Sequence, residues 1–220
     1  MTGDAPQEAV DSAVVGARGD MSASRLETFS DGVFAIAATL LVLDIGQSDD
    51  GTGSLLHQLF TGPLVSEYAA YAVSFLIIGI TWINHHSLFC QVARVDRRLT
   101  ILNLLLLMML AFTPFPTRVL AANLTKGGAD AHAAAFFYSL SITLCGLLYG
   151  AVWWHASSRN GALLKVPMDD ATVRQTRTQF GVGNLVYLAT LGLSFLSAPL
   201  TLGFHAAVAI YYAFDPLRRR

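Results

Sequence analysis

The residues with chemical reach gather at one end of an apolar segment. Arg25–Ile45 reads RLETFSDGVFAIAATLLVLDI, so Arg25, Glu27, Ser30 and Asp31 precede a run with no further charge before Asp44. A second group, WINHH, supplies Trp82, His85 and His86, and Asn103 is a lone amide in another apolar stretch. A carboxylate, a hydroxyl and an imidazole are the parts of a hydrolase, a metal site or a proton relay. Hydrolysis by Ser30 and His85 needs an oxyanion hole, and the chain has no G-x-S-x-G, G-x-G-x-x-G or Walker loop and no spaced pair of acids inside its apolar segments. For a metal site, His85 and His86 are adjacent and project in different directions, and no H-x-x-x-H or H-E-x-x-H pair occurs. Cys90 and Cys145 match no zinc or iron–sulfur spacing and read as small buried residues rather than a disulfide. The expectation is a chain that is not an enzyme and holds no resident metal or cofactor. A relay through Asp31 and His85 stays open, because acids and histidines inside membranes commonly move protons.

The elements that position these groups follow from composition. The chain is 54% hydrophobic and 13% charged, against about 25% charged in soluble domains. Its charges cluster between long apolar runs, the pattern of an all-α membrane protein. Six membrane helices are expected, at Leu26–Ile45, Leu64–Asn84, Leu99–Leu120 (bent near Pro114 and Pro116), Ala131–His155, Thr178–Ser197 and Leu200–Phe214, the last two parted only by Ser197-Ala198-Pro199. With both termini inside, every Lys and Arg except Arg118 and Lys126 falls on the cytoplasmic side, as the positive-inside rule requires. Residues 1–21, with no apolar core of a signal peptide, read as a disordered cytoplasmic tail, 22–217 as the six-helix domain and 218–220 as a basic cytoplasmic end. The 46–66 loop carries Asp49 and Asp50, and Leu55–Phe60 reads as a short interfacial helix. His57, His132, His155 and His205 stand alone and are expected at interfaces or in loops.

On a helical wheel centred on Ile36, Gly32, Leu40 and Leu43 lie within about 40°, and Arg25 and Phe29 extend that stripe. Thr39 flanks it at about 60°, while Ser30 and Asp31 fall about 120° and 140° away. An ionisable group in a membrane segment rarely faces lipid, so Ser30 and Asp31 are expected to point into protein. The Ile36 stripe then faces lipid, another subunit or a pore. Asp31 also fits a position near the helix start, favoured by the macrodipole, with Thr28 or Ser30 as cap. Trp82, Asn84, His85, His86 and Asn103 share its depth. They make either a hydrogen-bonded network with Ser30 and Asp31 or an interfacial belt.

These residues resemble the transmembrane protein 175 family, whose first helix is marked by R-x-x-x-F-S-D, here Arg25, Phe29, Ser30 and Asp31. WINHH and Asn103 look like the family's features on the second and third helices, so the resemblance covers nearly the whole chain after residue 22. It implies a potassium-permeable cation channel of the cell membrane without a TVGYG filter. A single six-helix repeat implies a homotetramer with a central pore on the oligomer axis, lined by the first helix. The motif residues would belong to a polar network with Trp82, His85 or His86, and Asn103. Ile36 would be the narrowest point, Thr39 a hydroxyl layer, and Leu43 a further apolar ring, with Leu40 on the same stripe. Asp44 at the outer end is expected to raise the local cation concentration, whereas Asp49 and Asp50 read as solvated. The alternative is a proton pathway or secondary transporter using Asp31 and His85, against which stand the lack of an inverted repeat and of paired broken helices.

Overall fold

The structure, a computed structural model, describes residues 22–46, 60, 63–158, 161–166 and 168–214. The tail at 1–21, the 218–220 end, Asp49, Asp50, all of the expected 55–60 helix but Phe60, and the side chain of Asp44 lie outside the described residues. The described chain is helical: α1 (Ala23–Leu40) running on into a 3-10 turn (Leu41–Asp44), α2 (Pro63–Phe89), α3 (Arg97–Phe112), α4 (Pro114–Asn123), α5 (Gly128–Ala156), α6 (Asp170–Leu193) and α7 (Ala198–Phe214).

α3 and α4 are one bent span. Pro114 has no N–H to continue the ladder, and the Thr113 N–H bonds the Leu110 carbonyl at 3.1 Å in its place. Ala23–Leu43, Leu64–Phe89, Arg97–Asn123 and Gly128–Ala156 are each long and apolar enough to cross a membrane, and α7 is apolar but shorter.

Three of the boundaries that differ from expectation do so for a local reason that bears on the chemistry. α1 starts at Ala23 because Ser22 caps it, its Oγ accepting from the Arg25 N–H at 3.3 Å. That puts Ser30 and Asp31 two turns inside the helix, so neither Ser30 nor Thr28 is its cap. α2 runs to Phe89, which keeps His85 and His86 helical. α6 starts at Asp170, capped by Asp169, so Arg174 and Arg177 are helical rather than in a loop. Arg177 lies over the Trp154 ring at 4.2 Å, so its charge is held against α5 while its stem stays apolar.

α1 packs on α2 and α3, α5 is central against α3, α4, α6 and α7, and α7 returns to α2. The loops after α2 and α5 clasp each other at the Ser22 end of the bundle: Lys165 N–H bonds Gln91 O at 2.8 Å and Ala93 N–H bonds Leu163 O at 2.7 Å. Asp96 caps α3 through the Leu99 N–H at 2.7 Å and takes His155 at 2.9 Å. Partial burial works to raise the Asp96 carboxyl, but the Leu99 N–H and His155 outweigh it and hold the group below the usual carboxylate range.

Candidate functional site

α1 is fastened along one face only. Leu26, Ser30, Phe34, Ala37 and Leu41 are buried, and the upper three pack with Ile78 of α2 and Leu107 and Leu110 of α3. These positions recur every three to four residues, the spacing of one helical face. The opposite stripe is bare: Phe29, Ile36, Leu40 and Leu43 are 54, 60, 41 and 63% exposed, and Gly32 and Thr39 are exposed with them. The Thr39 hydroxyl donates to its own helix, to Ile36 O at 2.9 Å.

The lower half of the fastened face is polar and satisfied. Ser30 Oγ donates to Leu26 O at 2.8 Å and accepts from Asn103 Nδ2 at 2.9 Å. The Asn103 carbonyl then faces His85 Nε2 at 2.8 Å, and since Asn103 spends its N–H on Ser30, His85 donates through Nε2. Ser30, His85 and Asn103 are all fully buried, which makes each bond costly to break. The His85 ring lies between Phe89 (4.4 Å, stacked) and Phe34 (5.2 Å), and its Nδ1 is buried with no hydrogen-bond partner.

Asp31 takes a separate partner. Its Oδ1 accepts from Trp82 Nε1 at 2.8 Å, and Trp82 stacks on His86. His86 Nδ1 reaches Glu27 Oε1 at 2.8 Å. Two strands of contacts thus leave α1 on neighbouring sides: Ser30 to Asn103 to His85, and Asp31 to Trp82 to His86. At the far end the buried Glu67 of α2 accepts from the Gly46 N–H at 2.6 Å, just past the 3-10 turn, where Gly46 has a positive φ of 85°.

The structure brings Ser30, Asp31, Trp82, His85, His86 and Asn103 together. It leaves out Arg25 and Phe29, which belong to the exposed stripe; the Arg25 guanidinium has no partner among the described residues. The expected grouping treated the R-x-x-x-F-S-D motif as one unit, but its first two members sit on the Ile36 side of the wheel. Asp31 and His85 are not bonded to one another, so the relay drawn from them is not assembled as a direct pair.

Several contacts went unforeseen. Glu27 lies one turn before Asp31, a spacing that signals a shared face. Glu67 is the one acid of α2. Three of the histidines expected at interfaces or in loops are built into contacts between elements, His155 with Asp96 among them. His205 is fully buried, bonded to Ser139 at 3.1 Å and ringed by Tyr138 and Tyr187, and His132 bonds Ser194 O at 2.8 Å. Ser74, Thr117 and Tyr138 form a further buried hydroxyl chain at 2.9 and 3.0 Å.

The profile of the family described as endosomal/lysosomal potassium channel TMEM175 matches residues 25–114, the stretch from Arg25 to the α3–α4 bend. A potassium channel of Streptomyces collinus is 51% identical over 192 residues, covering 87% of this chain and 91% of that one. The Bos taurus endosomal/lysosomal proton channel TMEM175 is 32% identical over 90% of this chain, which spans only 43% of that protein. The crystal structure of a lysosomal potassium-selective channel TMEM175 homologue from Chamaesiphon minutus superposes with a TM-score of 0.71 at 35% identity, covering 87% of this chain and 96% of that one.

Proposed function

The chain belongs to the TMEM175 family of channels, and from that membership we propose that four copies surround a potassium-permeable pore lined by α1, with Ile36 as its main constriction. The observation that supports this reading most is the bare apolar stripe of Phe29, Gly32, Ile36, Leu40 and Leu43 on a helix whose other face is bolted to α2 and α3. A multi-pass membrane protein can leave such a stripe to lipid. Yet the same helix carries fully satisfied buried polar groups on its covered face, which set its rotation and aim the stripe away from its own subunit.

In this reading a ring of four Ile36 side chains stops conduction by dewetting. A small rotation or tilt of α1 widens the ring and lets cations through with part of their water. The Thr39 hydroxyls, whose protons go to Ile36 O, turn oxygen lone pairs to the lumen and replace some of that water. Potassium then passes ahead of sodium because it sheds water more easily, and the preference is modest because no ring of fixed carbonyls surrounds the ion. Leu40 and Leu43 extend the apolar lining, and Asp44 gathers cations at the outer mouth. Both termini lie in the cytoplasm of a cell membrane, where the loops rich in Lys and Arg belong.

Potassium flux into liposomes tests the constriction. Ile36→Asn is expected to raise flux by about tenfold or more, since a polar ring stays wet; unchanged flux with unchanged ion preference would reject Ile36 as the narrow point. The competing proton pathway has one observation on its side, the unpartnered buried Nδ1 of His85. Saturating flux with a steep temperature dependence would favour a transporter.

A further inference from the structure

At the Ser22 end of α1, three side chains with metal-binding atoms converge beside the Ser30–Asn103–His85 chain. His86 and Cys90 are one turn apart, and the Cys90 N–H still bonds His86 O at 2.9 Å, so both side chains point the same way. His86 Nε2 and Cys90 Sγ are 3.6 Å apart. Glu27 closes on them from α1, and one donor atom from each of the three lies within 4.8 Å of the others.

These distances suit a tetrahedral ion. With metal–nitrogen and metal–sulfur bonds of about 2.0 and 2.3 Å, the nitrogen and sulfur stand about 3.5 Å apart, so His86 and Cys90 scarcely need to move. The imidazole is already oriented, stacked on Trp82 at 6.3 Å, whose indole is tied to Asp31. Such outer supports are what fix a ligating histidine. Access is open: Cys90 is an exposed free thiol, and the His86 side chain is 55% exposed.

We propose that Glu27, His86 and Cys90 bind a zinc-like divalent cation, with water as the fourth ligand, and that the bound ion clamps α1 to α2. A thiolate beside an imidazole favours zinc or cadmium over magnesium, calcium or potassium. As the metal–sulfur bond forms, the Cys90 Sγ–H proton leaves to solvent, and the Glu27 carboxylate turns from His86 Nδ1 to the ion. The clamp holds α1 in the orientation described above and lowers flux; that last step rests on the reading of α1 as the pore helix.

The test uses the full chain, reduced and purified in detergent, titrated with cadmium and then with zinc. Expected are a thiolate-to-cadmium ultraviolet band saturating at one ion per chain, lost in Cys90→Ser, and zinc affinity weakened about tenfold or more in Cys90→Ser and in Glu27→Gln. Zinc affinity unchanged in Cys90→Ser overturns the site, and cadmium and zinc affinities unchanged in Glu27→Gln overturn the three-ligand arrangement. In liposomes, zinc is expected to reduce wild-type potassium flux and to spare Cys90→Ser, whose metal-free flux matches the wild type. Saturable binding with undiminished flux overturns the clamp alone, as does equal inhibition in Cys90→Ser. No potassium flux under any condition overturns the pore reading, while the titration still decides the site.

Discussion

Two faces of one helix, built from overlapping residue types, meet opposite environments. On the covered face of α1, Phe34 and Ala37 are 2% and 1% exposed and Ser30 is fully buried with its hydroxyl bonded twice. On the other face Phe29, Ile36 and Leu43 touch little of their own subunit. Hydrophobicity does not separate them, since a phenylalanine stands on each. The separation comes from the polar groups: turning α1 by one residue, about 100°, would swing Ser30 away from Asn103 and leave the buried Asn103 N–H without its acceptor. A few bonds therefore decide which apolar residues are packed and which are left exposed.

The sharpest test of that contrast sets Phe34→Ala against Ile36→Ala. Removing the buried ring is expected to cost about 3–5 kcal/mol, while truncating Ile36 costs the subunit about 0.5 kcal/mol or less; thermal unfolding in detergent would show the gap, and equal losses would erase the contrast. Next comes Asn103→Ala, which strands the His85 Nε2–H and removes a donor from Ser30. A loss of about 2–3 kcal/mol is expected, visible as a lower melting temperature and a diminished oligomer peak on size exclusion. Wild-type stability in that variant would mean the polar chain does not set the helix rotation.

Asp31→Ala should do less, about 1 kcal/mol, because the Trp82 indole it frees is partly exposed and can find water. Its ion preference should be unaltered; a stable assembly with changed selectivity would move Asp31 from the fastened face to the pore. The smallest effect is expected at Asp96, away from α1. Its carboxyl is held below the usual range, so the stability it adds is full above the ordinary carboxylate pKa of about 3.9 and fades as pH falls through the lower folded-state value. With the Asp96 side chain 44% exposed, screening limits this to about 0.5 kcal/mol or less. Comparing the unfolding of wild type and Asp96→Asn at neutral and at strongly acidic pH should show a small difference that vanishes in acid.

Much of the fold was legible because its signals are local. Apolar runs marked six helical segments, four of them long and apolar enough to cross a membrane, Pro114 marked the bend, and the 100° turn per residue separated Ile36 from Ser30 without any coordinates. α6 was less legible, since Arg174 and Arg177 look like loop charges until Trp154 and the Ser157 carbonyl are seen to receive Arg177. Of the candidate site, the depth of Trp82, His85, His86 and Asn103 was readable, but their pairing was not. His85 and His86 are neighbours in sequence and end in different strands of contact, one with Asn103 and one with Glu27.

The order of residues along α1 was enough to establish a helix with a polar, inward-looking foot and an apolar stripe turned elsewhere, because the period of a helix belongs to the backbone alone. Which partners that foot would take depended on the packing of α1 against α2 and α3. Asp31 to Trp82, Ser30 to Asn103, Gly46 to Glu67, and the meeting of Glu27 with His86 and Cys90 all arise from the relative rotation and register of separate helices. That register is set by buried contacts such as Phe34, Ile78 and Leu107, which join residues far apart in the chain and leave no period to read.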